Sequence, residues 1–249
     1  MKNTVIILVL FSFCVVAEAA TVKEQDGNIV YMKEAKTKQL TQSGRDREPV
    51  LHPKGEWVYF VRQAPGKWKG EKYYPPKGFK AGDGILKEEI WRVKTDGTSE
   101  TKLFQSAHAA IDGPDPDYSV ATVSNIQFSP SGDKVYFEAS EWVTSAALHV
   151  MDPDGAKEQM LGPGNDTRIV LSARTFDDRE KSYEGYIVSA QHRYWFYGGS
   201  YDWYYLFTPD FKKEIAPLGD DPVYFTGMGD IKYVDHSEKN LLKEKKSSR

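Results

Sequence analysis

Ser129-Pro130-Ser131-Gly132-Asp133-Lys134-Val135-Tyr136-Phe137 restates, almost position for position, an earlier stretch: His52-Pro53-Lys54-Gly55-Glu56-Trp57-Val58-Tyr59-Phe60. A second matched pair lies downstream of each. Ile90-Trp91-Arg92-Val93-Lys94-Thr95-Asp96-Gly97 aligns with Leu148-His149-Val150-Met151-Asp152-Pro153-Asp154-Gly155. A chain that repeats such a phrase is built from copies of one supersecondary unit.

The unit reads as four strands. Val123 to Phe128 alternates apolar and polar residues, the period of a half-buried strand. Ser129-Pro130-Ser131-Gly132 is a tight turn, with Pro fixing φ and Gly supplying the turn's end. Lys134 to Glu138 is the return strand, Ala146 to Met151 the third, and Lys157 to Leu161 the outer fourth after the turn at Pro153-Asp154-Gly155. Four antiparallel strands joined in this way make one blade of a β-propeller. The first copy supplies Glu48 to Leu51, Glu56 to Arg62, Glu89 to Lys94 and Thr101 to Phe104. A degenerate third copy is expected at Tyr186 to Ser189, Tyr194 to Tyr197, Trp203 to Phe207 and Lys212 to Ala216, with Gln191-His192 at its first turn.

The two ends complete the count. Asn28 to Lys33 and Thr37 to Leu40 read as the last two strands of a blade; Pro222 to Thr226 and Asp230 to Val234 read as the first two. Their pairing predicts an all-β propeller of about four blades, closed by its N- and C-terminal strands, which removes exposed edges. Thr167 to Leu171 is an additional strand that would raise the count to five.

The first 19 residues read as a signal peptide, leaving a propeller domain over 20–236 and a basic tail over 237–249. Lys2 precedes the apolar run Val5 to Val16, and Ala17-Glu18-Ala19 fits the small-x-small cleavage pattern. That run is short for a membrane span, and no other stretch approaches the length required. Cys14 is the only cysteine. Past the signal peptide the chain therefore has no disulfide, no thiol nucleophile and no cysteine zinc site. The net charge is −3, which gives no reason to expect nucleic acid as a partner.

Three phrases carry a family resemblance: Pro49 to Phe60, Ile126 to Gly132, and Met151 to Gly155, with Leu40-Thr41 closing a repeat. They resemble the TolB-like β-propeller repeat. The resemblance covers 28–161 well and 184–216 weakly. It implies a periplasmic or secreted location, and it specifies fold more than activity. The chain lacks the amino-terminal α/β domain of TolB, and no Gly-x-Ser-x-Gly elbow occurs, as a peptidase relative would require.

Within this strand plan, loops 63–87, 105–122 and 162–183 all leave one face, and the opposite face carries tight turns. Long loops on one side of a rigid scaffold mark a binding surface. Loop 63–87 holds six lysines against Glu71 and Asp83, a net of +4, interleaved with Trp68, Tyr73, Tyr74 and Phe79. Trp68, Lys69, Lys72, Tyr73, Tyr74 and Phe79 are its candidate binding residues, suited to an anionic, carbohydrate or protein partner. The solvated alternative is that the aromatics fold onto the propeller and the lysines face water. Tyr194 to Phe207 holds nine aromatics in fourteen residues; packing between blades accounts for most, with Tyr201 and Trp203 the members expected at the surface. Asp112, Asp115 and Asp117 are weak candidates for Ca²⁺, with a plain acidic loop as the simpler reading. None of the five histidines has metal-pair spacing, and Asn165-Asp166-Thr167 is a sequon placed in a loop.

These features predict a non-catalytic envelope protein, without cofactor, that binds a protein or glycan through the loop-rich face. The competing reading is a small, metal-dependent carbohydrate-active enzyme of propeller type.

Overall fold

The computed structural model describes residues 19–64, 87–105, 122–142, 145–173, 183–194, 200–219, 225–226 and 230–231. Among these there is no helix. A three-stranded N-terminal sheet comprises β1 (Thr21–Gln25), β2 (Asn28–Lys33) and β3 (Lys36–Gln39). The first blade is β4 (Asp46–Leu51), β5 (Trp57–Ala64), β6 (Lys87–Lys94) and β7 (Thr101–Gln105). The second blade is β8 (Val123–Phe128), β9 (Val135–Trp142), β10 (Ser145–Met151) and β11 (Gln159–Pro163). In both blades the strands pair antiparallel in sequence order, as the repeats require.

The third blade departs from expectation. Its innermost strand is β12 (Asn165–Ile169), the stretch read as an extra strand; it pairs with β14 (Ile187–Tyr194), which is followed outward by β15 (Ser200–Phe207) and β16 (Glu214–Gly219). Gln191 and His192 therefore lie inside a continuous strand, opposite Trp203 and Asp202, and not in a turn. The sequon at Asn165 lies in β12, where the Asn165 side chain accepts the Ala146 N–H at 2.8 Å.

The ends also differ. The N-terminal sheet has three strands because Asp26 and Gly27, at φ 53° and 69°, form a two-residue hairpin turn that adds β1. At the other end, β17 (Phe225–Thr226) pairs with β18 (Asp230–Ile231), and β18 runs parallel to β13 (Ser172–Ala173). Among the described residues these strands do not pair with β1–β3, so the expected terminal closure is not formed there.

The core lies between successive sheets. Tyr59, Val61 and Ile90 of the first blade pack with Val123, Val135 and Phe137 of the second. Tyr136, Leu148 and Val150 pack with Ile169, Ile187 and Phe207 of the third. Ile29 and Leu40 join the N-terminal sheet to Val58 and Phe60.

The repeated words have identifiable jobs at these joints. The tyrosine of Val-Tyr-Phe reaches the next blade's turn between third and fourth strands: Tyr59 Oη donates to Pro153 O (2.7 Å), and Tyr136 Oη to Pro209 O (3.4 Å). Burial raises the pKa of both phenols, which keeps them donors. The glycine that ends that turn faces the preceding outer strand, closely at Gly155 and loosely at Gly97. Gly97 (φ 77°) faces Lys38 of β3, and Gly155 (φ 88°) faces Leu103 of β7. In the third blade the equivalent residue is Phe211, at φ 59°, and the small residues sit opposite it: Gly162 and Gly164 each leave room for its ring.

Candidate functional site

Strand order fixes which connections share a face. The turns 52–56, 129–134, 95–98, 152–158 and 208–213 emerge together, and the adjoining ends of β12 and β14, where Val170 N–H donates to Tyr186 O (2.8 Å), open on the same face. The expected third long loop on the opposite face is absent: β11 and β12 are joined by Gly164 alone. A Cβ there would sit 2.6 Å from Ser189 Oγ, which explains the glycine. Loop positions Trp68, Lys69, Lys72, Tyr73, Tyr74 and Phe79, and Asp112, Asp115 and Asp117, lie outside the described residues. Tyr201 and Trp203 are half-buried on β15 and meet edge to face at 5.6 Å, which is no flat stacking platform. His192 pairs with Asp202 (3.0 Å) at the end of β14 away from the turns just named, and so lies on the face opposite His52.

Around the axis, the three innermost strands share one irregularity. β4, β8 and β12 each carry a register shift against their neighbour, with a left-handed residue within it: Glu48 (φ 51°), Asn125 (φ 56°) and Asp166 (φ 43°). A bulge of this kind turns side chains out of the ladder. Polar side chains on and beside the bulged strands tie the blades together. Glu88 accepts the Val123 N–H (2.7 Å) and pairs with Arg47, whose guanidinium also donates to Val123 O (2.8 Å). Between second and third blades, Glu138 accepts the Thr167 N–H (2.5 Å) and the Asn125 amide (3.0 Å). Gln127 donates to Thr167 O (2.6 Å) and accepts the Ile169 N–H (2.9 Å). Its side-chain amide thus stands where a strand backbone would.

Burial raises the pKa of Glu138, partly offset by those hydrogen bonds. A raised folded-state value means stability that is full below the unfolded value and lost as pH rises through the folded one. Glu138→Gln should therefore gain on the native protein as pH moves from acid to neutral. Urea midpoints at the two conditions check this; an unchanged gap counts against it.

A cavity of about 390 Å³ opens on the tight-turn face at the ends of these inner strands. Val50, Leu51, Ile126, Phe128 and Ile169 supply an apolar wall, and Leu171 stands at the lip, 47% exposed. Its polar residues are already engaged. Asn125 and Gln127 make the bonds above, Asp166 pairs with Arg168 (3.1 Å), and Tyr204 donates to Asp166 (2.6 Å). Burial, and next that bond to Asp166, push the Tyr204 phenol up to about 12. Nearby, the His52 ring bridges two turns: Nδ1 accepts the Lys54 N–H (3.2 Å), so Nε2 carries the proton donated to Gly132 O (2.8 Å). Among the described residues, no three His, Cys, Asp or Glu side chains gather as a metal site, and no helix is long and apolar enough to cross a membrane. Leu171 and the axial amides escaped the sequence reading; the polar positions alternating through Val123 to Phe128 were the available signal.

No protein-family model matches the chain, and no curated protein matches it in sequence. Solved structures do resemble it. An oligogalacturonate lyase in complex with manganese is 12% identical, with TM-score 0.47, over 82% of this chain and 45% of that one. A putative TolB from Agrobacterium tumefaciens is 21% identical, with TM-score 0.37, over 60% and 51%. The β-propeller domain of the Trilobed protease from Pyrococcus furiosus is 10% identical, with TM-score 0.45, over 80% and 52%. The chain spans about half the length of these structures. By its serial four-stranded antiparallel sheets the fold is a small all-β propeller.

Proposed function

We propose that this propeller is a non-catalytic binding protein that receives an apolar protrusion of a protein partner in the axial mouth of its tight-turn face. One observation carries the reading: the mouth is walled by apolar side chains with Leu171 exposed at the lip, while Asn125 and Gln127 are spent on holding two blades together and Asp166 pairs with Arg168 of its own strand. A glycan site needs free donors and acceptors converging on the ligand; an apolar anchor needs a shaped dry pocket. The apolar run Val5 to Val16 supports export, and with it a periplasmic or secreted location. The repeated phrases at Pro49 to Phe60, Ile126 to Gly132 and Met151 to Gly155 support grouping the repeats with the TolB-like ones.

Capture of a partner from envelope extract tests the assignment of the face. Leu171→Asp is expected to abolish capture, and deletion of 67–84, which removes Trp68, Lys72 and Tyr73, to leave it intact. The reverse pattern would transfer the function to the loop-rich face.

A further inference from the structure

The outermost strands of the sheets are not protected alike. An exposed edge invites another strand unless charge or a mid-strand proline blunts it. β3 carries Lys36 and Lys38 and is exposed along its whole length. β7 carries Lys102, paired with Glu89 at 3.0 Å. β16 carries Glu214 and, in mid-strand, Pro217. β11, Gln159-Met160-Leu161-Gly162-Pro163, has no charged residue, and Pro163 limits only its far end. Met160 is 53% exposed on it; with Leu171 it is one of two large apolar residues so exposed among the described residues. The strand borders a groove of about 690 Å³ between second and third blades, with Tyr136, Val150 and Leu161 in its lining.

We infer that β11 pairs antiparallel with β11 of a second copy, joining two second blades into one eight-stranded sheet. The strand suits itself as partner. Centred on Leu161, an antiparallel pair sets Met160 beside Gly162 of the other copy, a long side chain against a missing one. The charged residues that precede the strand have partners within each copy: Lys157 pairs with Asp152 (3.0 Å) and Glu158 hydrogen-bonds the His149 ring (2.6 Å). A two-fold pairing uses one patch twice and stops at the dimer. It leaves both axial mouths free, so it stands independently of the partner-binding reading.

Sedimentation velocity on the exported protein tests it. The native chain is expected to show a concentration-dependent dimer, which Met160→Leu retains. Met160→Lys should weaken dimerisation by about tenfold or more, since it sets like charges on facing strands. Gln159→Lys supplies a second charged edge variant, and Gln105→Lys, on β7, should leave the dimer unchanged. Thermal melts of each variant report folding. A native chain that stays monomeric at all concentrations overturns the inference, as do folded Met160→Lys and Gln159→Lys variants that dimerise like the native chain.

Discussion

Gly27→Ala is expected to cost about 3 kcal/mol and to loosen the N-terminal sheet from the first blade, from left-handed strain and steric overlap together. Gly27 has φ 69°, and a Cβ there would overlap the Gly44 carbonyl oxygen. That obstacle is backbone, so no rotamer relieves it. The contact also anchors the joint. Asp46 N–H donates to Gly27 O (2.8 Å), Gly44 N–H to Asn28 Oδ1 (2.9 Å), and Ile29 N–H to Thr41 Oγ1 (2.9 Å). Moving the 26–27 turn outward breaks the first of these and strains the others. Gly97→Ala is the control. It shares the positive φ, but its Cβ would meet only the flexible end of Lys38 at 3.5 Å, so it should cost about 1 kcal/mol. Urea unfolding of the two variants measures the difference; equal losses would show that overlap with Gly44 does not matter.

Phe137→Ala is expected to lower stability by about 3–5 kcal/mol, the range for emptying a buried aromatic site. Phe137 is fully buried where first and second blades meet. Its ring lies 4.7 Å from Phe104 and 5.2 Å from the His149 ring, centroid to centroid. Both neighbours are held by their own strands, so the cavity cannot close by small shifts. A loss of that size lowers the melting temperature by roughly 2–4 °C per kcal/mol in a chain of this length. Leu171→Ala, at the exposed lip of the axial mouth, should change stability by less than about 0.5 kcal/mol. A Phe137→Ala melting point close to the native one would mean that the two blades do not share one cooperative core.

The repeat phrases made the first two blades legible because a turn glycine or proline set the phase of each strand. β8 falls on the residues expected of it, and β4 to β7 within about two residues at either end. The third blade has no Pro-x-Gly between its first two strands. Without that marker the polar pair Gln191-His192 reads as a turn, which places the expected inner strand one strand late. The correct inner strand, Asn165–Ile169, starts one residue after β11 ends, a spacing that only Gly164 permits. β1 was missed although Asp26-Gly27 is a strong two-residue hairpin signal. The axial mouth was hidden for a different reason: its wall comes from three strands far apart in sequence, and its polar residues serve the fold. Loop chemistry drew attention to the opposite face, where composition is conspicuous.

The exchange of glycine and phenylalanine at the turns between third and fourth strands makes the blades non-interchangeable. Leu103 on the preceding outer strand leaves little room for more than a glycine at 155, whereas Gly162 lies against the Phe211 ring of the third blade. If the third blade were spliced directly behind the first, Phe211 would collide with Leu103, and a duplicated second blade would set Gly155 against Gly162 and leave a hole. Copies that began as one unit have become keyed to their neighbours. The assembly now has a reading order, and shuffling or lengthening it by whole blades would require both halves of a joint to change together.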